Sequence, residues 1–182
     1  MAVDFHNNKN GSIRFDLLTK LIENGNSYVK ESEAIPFITE ISVSINPLIV
    51  KIMQGIQEVV PSNNATLTLA WCCYSGIGAT MQWHVNWKDL KSKGIFETLT
   101  KERGISEMDQ FVLDSVGLTI GSEEAKRLSK HIQESARNVI IYMVKHSTDA
   151  TPEVVKDVYF QACEAMYFYG MAIQMNRLGI IN

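Results

Sequence analysis

From Asn63 to Trp87 the chain reads NNATLTLAWCCYSGIGATMQWHVNW, a run without a single Asp, Glu, Lys or Arg. A helix that is apolar on nearly every side must be enclosed by other protein or by lipid. The uncharged length is about that of a bilayer span, but Thr66, Thr68, Ser75, Gln82 and Asn86 interrupt it and no basic cluster marks a cytoplasmic flank. The run therefore predicts the central helix of a bundle, with Ser75, Gly76, Gly78 and Ala79 letting a neighbouring backbone come close. Its polar end, Gln82, Trp83, His84 and Asn86, is the natural place to look for a site.

The same periodicity predicts helices through the rest of the chain. Residues 1–12 are polar and Asn-rich and read as a loose tail ahead of one domain, 13–182. Leu17, Leu18, Leu21, Ile22, Tyr28 and Val29 fall at helical spacing. Ile41, Val43 and Ile45 alternate with serines, but no partner strand is evident and a helix is expected there too. Asn46-Pro47 opens a helix to about Val59, closed by Pro61 and the turn at Ser62-Asn63-Asn64. Gly94, just past Lys91 and Lys93, ends the central helix, and a short one follows to Gly104. Ser106 and Asp109 have capping-box spacing ahead of Met108, Phe111, Val112 and Val116, with Gly117 as the stop.

Ser122 with Glu123 and Glu124 opens a long helix whose buried seam is Leu128, Ile132, Val139 and Met143. Thr151-Pro152-Glu153 opens the last, carrying Val154, Val158, Met166, Tyr167, Phe168, Tyr169, Met171 and Met175. The expected fold is all-α, a compact bundle of about six to eight helices. Ala165 to Met175 is apolar on almost all faces. A chain of 182 residues has little interior for two such helices, so a homo-oligomer is expected.

Charge and cysteine usage narrow the function classes. A net charge of −3 offers no footprint for nucleic acid, since Lys and Arg between Lys88 and Arg103 are diluted by Asp89, Glu97 and Glu102. Three cysteines, two of them adjacent, make no disulfide framework, and the first residues lack a signal peptide's apolar core, which implies a reducing cytoplasm. Neighbouring helical residues point about 100° apart, so Cys72 and Cys73 read as buried thiols rather than a vicinal disulfide. No cofactor signature accompanies the methionine and aromatic stripes, and no metal is expected. His131 and Glu134 have metal-helix spacing but lack facing carboxylates other than Glu164.

On the central helix Gln82 and Asn86 lie one turn apart, able to clamp a ligand carbonyl or carboxylate, or to bond each other. With Trp83 they form the candidate ligand-binding set. His84 and Glu164 are the candidate proton-transfer residues, His84 because imidazole titrates near neutrality.

Ala79 to Ile95 (ATMQWHVNWKDLKSKGI) resembles the signature segment of the carboxymuconolactone decarboxylase and alkylhydroperoxidase D-like superfamily. Members lacking the redox cysteines often show an acidic residue and Trp, a His one turn later, a small or Leu-rich tail and a Gly-hydrophobic pair. Here Gln82-Trp83, Asn86, Leu90 and Gly94-Ile95 stand in those places. Asn46-Pro47 before the segment and Asn176-Arg177-Leu178-Gly179-Ile180 at the end of the last helix are similar in outline. The resemblance implies an all-helical oligomer with a pocket beside the signature helix. The chemistry departs from the family: its thiol positions hold Ala79 and Gln82 and its His position holds Asn86, so thiolate and proton relay are both absent.

Two functions follow as expectations. One is a divergent small-molecule site, decarboxylase-like or oxidoreductase-like if it turns over, with Gln82 and Asn86 orienting the ligand. The other is a non-enzymatic helical oligomer that binds a ligand or a protein.

Overall fold

The computed structural model describes residues 9–25, 27–29, 45–60 and 64–180, with side chains placed from residue 13 onward except at 86–93. Every regular element among them is helical. In chain order these are α1 (Lys9–Asn24), α2 (Asn46–Val59), α3 (Ala65–Lys93), α4 (Ile95–Thr100), α5 (Met108–Ser115), α6 (Glu123–His146) and α7 (Pro152–Arg177), with one tight 3-10 turn at Ile105–Glu107 ahead of α5. The segment Ile41 to Ser44, expected to be helical, lies outside the described residues. α1 begins at Lys9, inside the stretch expected to be a loose tail.

Local chemistry fixes most helix ends. The Asn64 side chain accepts the Leu67 amide at 3.1 Å, Ser122 accepts that of Ala125 at 3.2 Å, and Thr151 accepts that of Val154 at 3.4 Å with Pro152 in the first helical position. After α5, Gly117 takes φ 77°, which lets Leu118 N–H reach back to the Leu113 carbonyl at 2.9 Å. The capping box expected from Ser106 and Asp109 does not form. The indole of Trp71 donates to the Ile105 carbonyl at 2.9 Å and pins Ser106 within the 3-10 turn, so α5 starts at Met108 without a side-chain cap.

α3 is the axis of the molecule, and α2, α4, α5, α6 and α7 all pack on it. Its closest partner is α7. Thr68 faces Tyr159, Cys72 faces Cys163, and Gly76 abuts the Tyr167 carbonyl. Each step of one turn on α3 is matched by one turn on α7, so the two helices run parallel. At the crossing the backbones touch: a Cβ on Gly76 would stand 2.0 Å from the Tyr167 carbonyl oxygen, and one on Gly170 would stand 2.0 Å from that of Cys73.

This close approach changes the argument from limited interior. Gln161 to Cys163 and Ala165 to Met175 are buried within a single chain, because α3 and α7 sheathe each other and α6 and α1 cover the remaining faces. Enclosing α7 therefore needs no second subunit.

α1 lies along α7. The Arg14 amide donates to Gln161 Oε1 at 3.3 Å, the Arg14 guanidinium meets Glu164 Oε2 at 3.1 Å, and at the other end Gly25 sits against the Tyr169 hydroxyl. No helix among the described residues is long and apolar enough to cross a membrane.

Candidate functional site

Along α3, Cys72 to Thr80 are all buried, Met81, Gln82 and Trp83 are half-buried, and His84 and Val85 are exposed. The sheath around the axis thus opens at Met81. Continuing the α3/α7 register beyond Gly76 and Tyr167 sets Trp83 level with Gln174 of α7. Near that level the half-buried Met81 of α3 meets the buried side chain of Gln174. Asn86 lies within α3, and its side chain is not among those described.

Gln174 is 2% exposed. Its Nε2 reaches only the Met81 thioether, at 3.8 Å, and its Oε1 has no hydrogen-bond partner. A buried amide acceptor left unmatched costs about 1–3 kcal/mol, which the sequence could avoid with Met or Leu in the same place. The apolar run around Gln174 (MAIQM) hid this residue from sequence reasoning. The signal was there: one amide in a buried stripe otherwise made of Ala, Ile and Met.

The two residues expected to transfer protons are not brought together. Glu164 lies on α7 level with Cys73, which is about eleven residues and so roughly 16 Å along the axis from His84. Its carboxylate faces α1, where Arg14 engages it at 3.1 Å. Gln161 completes a small polar seam there by donating to Asp157 Oδ2 at 2.9 Å. His84 is exposed on α3.

The thiols are in a different setting from a reactive cysteine. Cys72, Cys73 and Cys163 are all free and buried. The hydrogen bond to Cys163, together with burial, holds the Cys72 thiol well above the ordinary range, and burial does the same to Cys73. Neither supplies a thiolate nucleophile at neutral pH.

His131 and Asp109, noted in the sequence for metal-helix and capping-box spacing, sit in other settings. His131 Nε2 lies 2.6 Å from the Tyr169 hydroxyl, and its ring stacks on Tyr28 with centroids 4.3 Å apart. This contact joins the segment after α1 to α6 and α7. Burial raises the Asp109 carboxyl, and its Oδ1 is unpartnered. Among the described residues no group of three or more His, Cys, Asp or Glu converges as a metal site.

Compared with protein-family models, with curated proteins and with solved structures, the chain matches none of them.

Proposed function

We propose that this chain is a small-molecule-binding helical module, with its pocket beside the C-terminal half of α3, at the half-buried Gln82 and Trp83. One observation carries the reading: the burial of α3 gives way at Met81 to Trp83, so an amide and an indole stand at the boundary between core and solvent. An indole supplies a flat apolar wall and an amide supplies orientation, the usual division of labour in a ligand pocket. The resemblance of Ala79 to Ile95 to the carboxymuconolactone decarboxylase and alkylhydroperoxidase D-like signature supports the same helix as the pocket wall. Binding without turnover is favoured, because Glu164 is held by Arg14 far from His84 and the Cys72 and Cys73 thiols stay protonated.

Intrinsic tryptophan fluorescence tests this directly. Titration with phenol, benzoate and benzamide is expected to give saturable quenching for at least one probe in the native protein and none in Trp83→Phe, which retains Trp71 and Trp87. Unsaturable quenching by all three, or saturation unchanged in Trp83→Phe, would remove the pocket.

A further inference from the structure

We infer that Gln174 is the recognition residue of this pocket and that its ligand is a neutral cyclic amide, a lactam or cyclic urea, presenting an N–H beside a C=O. The inference rests on the pocket reading above and adds to it the chemistry of what is bound.

The argument starts from the two ends of one buried side chain. Gln174 Oε1 is an acceptor with no partner, so the ligand atom that satisfies it must be a donor. Gln174 Nε2 has only a methionine sulfur at 3.8 Å, a weak acceptor that a carbonyl oxygen would readily replace. Both unmet requirements lie on the same planar group, about one hydrogen-bond spacing apart. A lactam edge answers both at once: its N–H donates to Oε1 and its C=O accepts from Nε2, closing a cyclic two-point pair. Ethers and ketones can only accept, and a single hydroxyl must use one atom for both bonds at poorer geometry.

Charge argues the same way. Ala65 to Trp87 contains no ionisable side chain other than Cys72, Cys73, Tyr74 and His84, and the nearest cation on α7, Arg177, is engaged by Glu124 at 2.8 Å and by the Val116 carbonyl at 3.4 Å. Among the described residues no free cation stands beside Gln174, so a neutral amide avoids the cost of burying a carboxylate or phosphate there. Met81, half-buried and unbranched, forms a flexible flank between Gln174 and solvent.

The test uses 2-pyridone as probe and N-methyl-2-pyridone as its control, the two differing in the single donor. In two-dimensional NMR of the native protein, 2-pyridone is expected to shift the Gln174 side-chain NH2 signals saturably. The N-methyl compound should bind about tenfold or more weakly, the equivalent of losing one hydrogen bond and leaving an acceptor unmet. Gln174→Met, close in volume and lacking both polar ends, should fold with unchanged or higher Tm and lose the 2-pyridone response. Equal behaviour of the two pyridones, or a Gln174→Met protein that still discriminates between them, would overturn the inference, as would NH2 signals that respond to neither because water alone satisfies the amide. If phenol still saturates at Trp83 in that case, the pocket stands and only the ligand class fails. If no probe binds, pocket and ligand class fall together.

Discussion

Gly170 lies so close to Cys73 that a methyl group added to it would stand 2.0 Å from the Cys73 carbonyl oxygen, and Gly76 meets the Tyr167 carbonyl in the same way. Both obstacles are backbone, so neither can be relieved by turning a side chain. Gly170→Ala and Gly76→Ala should each destabilise the fold by about 2 kcal/mol or more, net of the roughly 1 kcal/mol that alanine gains in a helix interior. One displacement of α7 from α3 would accommodate both methyls, so the double variant should cost clearly less than the sum. Urea unfolding of the three variants measures this, and strict additivity would mean that the two glycines do not share one crossing.

Glu164 should behave as a structural ion-pair partner. Its pair with Arg14 is partly open, with side-chain exposures of 37% for Arg14 and 18% for Glu164, so Glu164→Gln is expected to cost about 0.5–1 kcal/mol. The difference should shrink in high salt. Probe binding at Trp83 should be untouched. A Glu164→Gln protein of native stability with lost binding would return this residue to the functional site.

The three cysteines should be silent in the folded protein. Burial of Cys72, Cys73 and Cys163 predicts no reaction with Ellman's reagent on the minutes scale at pH 8, and reaction of all three once guanidinium unfolds the chain. Peroxide turnover should be absent for the same reason. A rapidly titrating thiol in the native state would show that the α3/α7 seam opens.

The His131 contact predicts a pH dependence with a definite sign. Burial holds the imidazole below its ordinary value of 6.5, opposed in part by Glu134, while Tyr28 and Tyr169 face it as uncharged groups. As pH falls below about 6.5 the unfolded chain takes up this proton before the folded one, so stability drops until the folded value is passed and then levels off. Above that range the contribution is constant. His131→Gln should flatten this part of the profile relative to the native protein. Tyr169→Phe leaves the ring nitrogen without its partner and should cost about 1–2 kcal/mol at neutral pH. Thermal unfolding between pH 7.5 and 5 reads both effects.

What the sequence revealed and what it concealed divide along the range of the interactions. The starts at Ser122 and Thr151 and the stop at Gly117 are set by residues three to five positions away, and they stand where they were expected. The capping box at Ser106 failed because Trp71, distant in the chain, claims the Ile105 carbonyl. The uncharged run did mark the central helix. Periodicity carries no information on which helix pairs with which, however, so the Arg14 to Glu164 pair and the parallel docking of α7 were out of reach. Gln82 and Trp83 drew attention because they end an apolar run. Gln174 was missed because it interrupts one.

The parallel course of α3 and α7 has a consequence for biosynthesis. The surface of α3 around Gly76 is covered by α7 residues near Gly170, so a ribosome must run on through α7 before that face of the axis can be closed over. Until then a greasy, uncharged rod is presented to the cell, and what protects it is whatever transiently holds nascent chains. Shortening the chain to end before Tyr167 should convert the folded protein into chaperone-retained or aggregated material, detectable as loss of soluble yield.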